Sequence, residues 1–147
     1  MRVAAVLLVL LAGLTVPAAG SGWVLTVRDA DGRRLWSLPV RLGDEVVLAY
    51  TNSIYLAPTE ERLVVTARGF ALVAVRSTSE AVLDYNGLRA PYAREGAYYA
   101  AQASARLPEL ILRVGATGRQ RLIVHGRAVP LFQAGAGTQL RVTVARR

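Results

Sequence analysis

The sequence predicts an all-β fold: a single small antiparallel β-sandwich or barrel-like domain that follows an N-terminal signal peptide. Short apolar runs rich in valine and leucine recur from residue 23 onward, and turn-forming residues such as glycine separate them, which is typical of strands joined by turns. A chain of 147 residues is long enough to bury one core but short for two domains. We therefore assign 1–20 to the signal peptide and 21–147 to one β domain.

The first twenty residues have the order of a secretory signal. Met1 and Arg2 precede an apolar run over 3–16, and small residues follow it. This order predicts export to the periplasm or another extracytoplasmic space, with cleavage between Ala18 and Gly20. The alternative is an uncleaved, membrane-anchoring helix, whose span of about 17 residues, counted through Ala19, is at the lower limit for crossing a bilayer. In both cases the remaining chain lies outside the cytoplasm.

The predicted strands follow the apolar runs. In the last run apolar and polar residues alternate, so Leu140, Val142 and Val144 are expected to face the core. Arg141 and Thr143 are expected to face solvent. The predicted strands cover 23–28, 34–39, 45–50, 62–67, 70–76, 110–114, 121–124, 128–132 and 140–144.

The least regular segment is 77–105, which we predict to be a long loop with at most a brief strand. Residues 77–80 resemble a helix cap, and Asn86-Gly87 would end such a helix within two turns. The runs between 110 and 132 are predicted to form a meander of antiparallel strands. The glycines at 135 and 137 are predicted to form a hairpin loop.

Polar, aromatic and acidic side chains concentrate at 50–62, between two predicted strands. Pro58 donates no backbone hydrogen bond and disfavours helix before it, which indicates an extended crossing or a bulged edge instead of a tight hairpin. Asn52 and Ser53 have the side chains that commonly bond their own backbone in turns. This stretch supplies the predicted binding residues: Tyr50, Asn52, Ser53, Tyr55, Glu60 and Glu61.

The sequence shows no arrangement typical of an enzyme or a metal site. Glu60 and Glu61 are adjacent, and on a strand they point to opposite faces. We expect one of them to pair with a strand arginine such as Arg62 or Arg76, and the other to face water. His125 is the sole histidine and cysteine is absent, so neither a zinc site nor a Ser-His-Asp triad is indicated. We predict no catalytic residue, metal or cofactor.

The formal charge of +8 comes from arginine alone. From residue 106 onward the sequence contains eight arginines and a single acid, Glu109. This excess is compatible with a surface that contacts anionic membranes or an acidic partner, and equally with a soluble exterior. An exported chain without interleaved basic and aromatic residues is not expected to bind nucleic acid. The basic-surface candidates are Arg113, Arg119, Arg121, Arg127 and Arg141.

Two motifs resemble the DUF1850 family of small exported bacterial and archaeal proteins. The first runs over 50–54 and continues with Pro58 and the acids at 60–61, and the second covers 107–115. Family members are commonly encoded beside TRAP transporters of the TAXI type. The family usually has histidine where this chain has Asn52, and a glycine-rich segment where this chain has 79–87. Because asparagine retains hydrogen bonding but not acid-base chemistry, binding survives this change better than catalysis.

The export signal, the all-β pattern, the missing catalytic arrangement and this resemblance together lead us to expect a non-enzymatic extracytoplasmic accessory or interaction module linked to a TRAP/TAXI-type solute transporter. Its partner would be the permease or the solute receptor. One alternative is a freestanding periplasmic domain that binds, or weakly hydrolyses, a small ligand through Asn52, Ser53 and Glu60. A further alternative is a basic module that binds anionic surfaces. The sequence leaves the ligand, the strand order and the oligomeric state open.

Overall fold

The computed structural model describes residues 22–147, and the predicted signal peptide lies outside the described residues. The domain is mostly β, with one short α-helix and two antiparallel sheets, which confirms the predicted all-β, sandwich-like fold. The elements are β1 Trp23–Asp29, β2 Arg34–Val40, β3 Glu45–Thr51, β4 Pro58–Thr66, β5 Gly69–Ser77, α1 Glu80–Tyr85, β6 Ala93–Glu95, β7 Tyr98–Leu107, β8 Leu110–Arg113, β9 Arg121–Val124, β10 Arg127–Val129, a 3₁₀ helix Leu131–Ala134, and β11 Gln139–Arg146.

The smaller sheet has the order β2-β1-β11-β8, and the larger has the order β10-β9-β3-β4-β5-β7-β6. The chain therefore changes sheet after β2, after β7, after β8 and after β10. Hairpins join β3 to β4 and β4 to β5, because each of these pairs is antiparallel and consecutive. The larger sheet is thus built around a three-stranded centre.

Side chains from both sheets meet in one core. Leu140 and Val142 of β11 are fully buried and Val144 is partly buried, whereas Arg141 is exposed. The period-two alternation predicted from the sequence is therefore confirmed. Leu25 and Val27 contribute from the smaller sheet, and the largest contributions from the other sheet are Val46, Leu48, Leu63, Val65, Phe70, Leu122 and Val124.

The connection between β3 and β4 differs from the predicted extended crossing. Residues 52–57 form a six-residue loop between two paired antiparallel strands. The second strand begins at Pro58, four residues earlier than predicted, and its first residue lies opposite Thr51. Proline is tolerated at the first residue of a strand. Consequently the acids at 60 and 61 lie within β4, on a pleated backbone that sends them to opposite faces.

The prediction that 77–105 forms a long loop was wrong. The segment contains α1, β6 and the ten-residue strand β7, which pairs with β5. The helix begins after Ser79, whose side chain makes no capping bond, and ends before Asn86, as Asn86-Gly87 predicted. The run of small residues at 100–105 has no decisive propensity, so pairing with β5 determined its conformation.

The predicted C-terminal meander is present only in part, since β9 and β10 form an antiparallel pair that β8 does not join. β8 pairs with β11 in the smaller sheet, whereas β9 and β10 extend the larger sheet. The strand predicted over 128–132 ends at Val129, where Pro130 precedes the 3₁₀ helix. The glycines at 135 and 137 connect that helix to β11, so they form a crossing between sheets and not a hairpin. Short apolar runs do not encode which sheet they join.

Candidate functional site

The loop over 52–57 is fixed by its first residue. Asn52 Oδ1 accepts hydrogen bonds from the backbone N–H groups of Ile54 and Tyr55, both at 3.0 Å. The backbone N–H of Asn52 donates to Ala57 O at 2.9 Å, which closes the loop. The prediction that Asn52 stabilises a turn is therefore confirmed. Such side-chain bonds order a loop that has no strand partners.

The ordered loop presents apolar side chains to solvent. Ile54 and Leu56 are 59% and 70% exposed, and the Tyr55 ring packs edge-on against Tyr85 of α1, with centroids 6.4 Å apart. Leu56 has a φ of +51°, a left-handed conformation that is uncommon for leucine. We call Ile54, Tyr55, Leu56 and Tyr85 the apolar tip.

A row of cross-strand neighbours crosses the outer face of the larger sheet. Ala49 lies opposite Glu60, and Glu60 lies opposite Arg76. The Glu60 carboxylate pairs with Arg76 Nη2 at 2.7 Å, and Arg76 Nη1 lies 3.5 Å from Glu95. The Arg76 guanidinium also stacks over the Tyr98 ring at 4.8 Å. The predicted pairing of one acid with a strand arginine is confirmed for Glu60.

The second acid does not face water as predicted. Glu61 points inward with Leu48, its cross-strand neighbour in the core, and Tyr50 Oη donates to its Oε1 at 2.8 Å. Burial raises the pKa of Glu61, although the Tyr50 hydrogen bond opposes this shift. Burial and the adjacent carboxylate raise the pKa of Tyr50. The expectation that this acid faces water was wrong because the core extends under the start of β4. The polar sequence at 59–61 had indicated that this part of the strand is exposed to solvent.

A groove runs along the outer face beside Glu60. It has a volume of about 360 Å³, near the lower end of the usual range for ligand pockets. Arg119 and Arg121 form one side of it, and Gly118 is tied to the end of β3 because Thr51 N donates to Gly118 O at 2.7 Å. We call this cavity the Glu60 groove. Its main lining residues are Ala49, Glu60, Tyr98, Arg119, Arg121 and Phe132.

The structure brings only some of the predicted binding residues together. Tyr50 and Glu60 line the Glu60 groove. Asn52 supports the loop, Tyr55 belongs to the apolar tip, and Ser53 is exposed. Glu61 faces the core. The candidate residues therefore serve at least three structural roles and do not form one site.

The five basic-surface candidates do not share one sheet. Arg113 and Arg141 belong to the smaller sheet, and Arg121 and Arg127 belong to the larger one. Arg119 lies in the preceding loop, adjacent to Arg121 in the groove. Arg141 is also paired with Glu109 at 3.3 Å. Sequence clustering of arginine therefore does not translate into one continuous basic face.

His125 occupies a turn, as predicted, with a φ of +49°. It has a partner that the sequence did not reveal, since its Nε2 lies 2.6 Å from Asp44. Burial acts to raise the pKa of Asp44, but bonds from the Arg41 backbone and His125 outweigh it and lower that pKa. The pair links the turn before β3 to the turn after β9.

The sequence predicted Tyr55 of the apolar tip, but not Ile54, Leu56 or Tyr85, and it did not predict the aromatic sides of the groove. One signal for the tip was available: three consecutive apolar residues, 54–56, stand between turn residues and a proline. Phe132 and Tyr98 carried no such signal, because they come from separate elements that only the fold brings beside Glu60. Arg119 and Arg121 were predicted as basic-surface residues, but not as neighbours of Glu60.

Within residues 22–147, no three potential metal-binding side chains cluster, and no helix is long and apolar enough to cross a membrane. Comparison with protein-family models, with curated proteins and with solved structures gave no match. The resemblance to the DUF1850 family therefore stays a prediction from the two motifs.

Proposed function

We propose that this chain is a non-enzymatic, exported interaction module that docks on a TRAP/TAXI-type transporter, at its permease or its solute receptor, through the apolar tip. The observation that carries the proposal is the exposure of Ile54 and Leu56 on an ordered loop. The resemblance to DUF1850 supplies the class of partner.

The tip has the properties of a docking surface. Exposed apolar side chains in a cluster are uncommon on monomers and mark interaction sites. Asn52 fixes the loop before binding, which lowers the entropy that association must overcome. Tyr55 and Tyr85 add aromatic area, and tyrosine is enriched in interfaces.

The magnitude of the expected effect follows from burial. Moving an exposed leucine or isoleucine side chain out of water contributes about 1.5 to 3 kcal/mol. Because Ile54 and Leu56 are 59% and 70% exposed, burying both in the complex contributes about 2 to 4 kcal/mol, and replacing them by serine is expected to weaken docking by about 2 kcal/mol or more, which is about thirtyfold. Surface substitutions of this kind change folding stability by only about 0.5 kcal/mol.

The test is affinity purification of the tagged protein from native membranes in mild detergent, with mass spectrometry of what co-elutes. The tip variant is Ile54→Ser with Leu56→Ser. A matched control is Leu42→Ser with Ile111→Ser, since these side chains are 49% and 55% exposed and lie outside the tip.

The wild type and the control are expected to recover a permease or its solute receptor, and the tip variant is expected to lose it. Equal recovery with both double variants would remove the tip from the interaction. Recovery of no transporter component by the wild type would overturn the proposed partner class.

A further inference from the structure

We propose that the Glu60 groove binds a small monocarboxylate that carries an aromatic or apolar group. The inference concerns a different surface from the apolar tip and does not depend on transporter docking. It is carried by two unpaired arginines, a small floor and two aromatic side chains that the fold places around one cavity.

The groove has an excess of positive charge. Within the described part of the chain, Arg119 and Arg121 have no ion-pair partner. Glu60 lines the same groove, but Arg76 holds its carboxylate at 2.7 Å. The groove therefore has two positive charges that no side chain of the described domain balances. Guanidinium groups bind planar carboxylates with two parallel hydrogen bonds.

A small residue separates Arg121 from Glu60 across the groove. Arg121 lies opposite Ala49, which in turn lies opposite Glu60. Two strand spacings of about 4.8 Å separate the arginine from the acid, or about 10 Å in total. Ala49, the residue between them, is small and only 4% exposed, so neighbouring side chains cover most of the floor of the groove. A ligand of a few atoms can lie there beside Arg121 without displacing Glu60 from Arg76.

The groove also has aromatic walls. Phe132 and Tyr98 both line the groove, and Arg76 orders the Tyr98 ring by stacking over it at 4.8 Å. Phe132 N donates to Gln120 O at 3.2 Å, so the backbone that carries Phe132 is tied to the residue between Arg119 and Arg121. Aromatic faces favour a planar or apolar ligand body.

The loop that carries Arg119 is fixed before any ligand binds. Gly118 O accepts from Thr51 N, and Arg119 follows with a φ of +45°. A non-glycine residue in this conformation is strained, and surrounding contacts must maintain it. The orientation of the loop is thus set by β3, which also supplies the floor of the groove.

The position of Glu60 limits the ligand to one carboxylate. A dicarboxylate in a cavity of about 360 Å³ would bring its second charge near Glu60, and like charges at close range repel. The uncharged side of the ligand is instead expected to contact Phe132. Phenylacetate has this combination and is the probe, with acetate, 2-phenylethanol and phenylmalonate as comparisons.

The experiment is a titration of the ¹⁵N-labelled full chain followed by amide NMR. Phenylacetate is expected to shift the amides of Ala49, Thr51 and Gly118 with millimolar affinity. Arg119→Gln with Arg121→Gln is expected to weaken binding by at least about tenfold, since a hydrogen bond to a charged group contributes at least about that factor. Arg106→Gln with Arg127→Gln is the matched control, because these exposed arginines lie outside the groove, and it is expected to bind normally.

The comparison ligands test the ligand class. Acetate and 2-phenylethanol are each expected to bind at least about tenfold more weakly than phenylacetate. In the Phe132→Ala variant, phenylacetate is expected to bind no more tightly than acetate. Unchanged binding by the groove arginine variant, tighter binding of phenylmalonate, or no shift at Ala49 and Gly118 would overturn the proposal. The variant Arg119→Gln with Arg121→Gln keeps the apolar tip intact, so it is expected to recover the transporter component in the affinity purification. Loss of phenylacetate binding in this variant is therefore distinguishable from loss of docking.

Discussion

The contact between Tyr50 and Glu61 gives the sharpest prediction about stability. The carboxylate faces the core beside Leu48, and its hydrogen-bond donor is the Tyr50 hydroxyl at 2.8 Å. Glu61→Gln keeps an oxygen that accepts this bond and removes the charge. We expect this variant to be more stable than the wild type at neutral pH, because burial disfavours the ionised carboxylate.

The direction of the pH dependence follows from the raised pKa of Glu61, whose usual value is 4.5. Below that value the carboxyl is protonated in both the folded and the unfolded chain. As pH rises through the folded-state pKa, the folded chain retains a proton longer than the unfolded chain, so the free energy of unfolding falls. The gain in unfolding free energy of Glu61→Gln over the wild type is therefore expected to be small at about pH 4 and to increase toward about pH 8.

The size of the expected change in unfolding free energy follows from the hydrogen bond that the Tyr50 hydroxyl donates. Tyr50→Phe leaves the ionised carboxylate without its donor, which costs about 1.5 to 3 kcal/mol for a bond to a charged group. In the Glu61→Gln background the same change costs only about 0.5 to 1.5 kcal/mol, because the bond is then neutral. The difference is the coupling between the two side chains.

The assay is urea unfolding followed by the fluorescence of Trp23 and Trp36, for the wild type, both single variants and the double variant at each pH. A coupling of about 1 kcal/mol at about pH 8 that shrinks at about pH 4 is expected. Equal costs of Tyr50→Phe in both backgrounds, together with no pH dependence of Glu61→Gln, would refute the assignment of a buried, destabilising carboxylate.

Two further predictions concern glycine and loop order. An added Cβ at Gly69 would clash with Leu107 O, whereas at Gly87 it would meet nothing within 4 Å. Both have positive φ, so urea unfolding is expected to show a loss of about 1 to 2 kcal/mol for Gly87→Ala and a larger loss for Gly69→Ala; equal losses would contradict the clash. Asn52→Ala is expected to speed amide hydrogen exchange at Ile54 and Tyr55 while leaving β3 protected, and unchanged exchange there would show that Asn52 does not order the loop.

Local patterns were enough to predict most of the strands. The alternation at 140–144 specified which side chains of β11 are buried, because the side-chain period of a strand is fixed by its geometry. The same geometry separated Glu60 from Glu61. Asn52 was predicted as a turn residue because its bonds reach only residues that follow it closely. These are all properties of a few adjacent residues.

The candidate site was predicted only in part. The interval 50–62 was identified as the functional stretch, and it does contain the loop and one edge of the groove. Phe132, Tyr98 and Arg119 come from three distant segments, and no spacing in the sequence relates them. The burial of Glu61 was missed for the same reason, since the residues that cover it are not its neighbours in the chain.

By itself the sequence determined the fold class, the position of most strands, the inward faces and the turn at Asn52, because periodicity and turn chemistry act over a few residues. Only the tertiary structure decided which sheet each short strand joined, that the run of small residues after Tyr99 would pair with β5, and that Arg119 and Arg121 would lie beside Glu60. Short strands have interchangeable local preferences, so their pairing is selected by the burial of side chains from the whole chain.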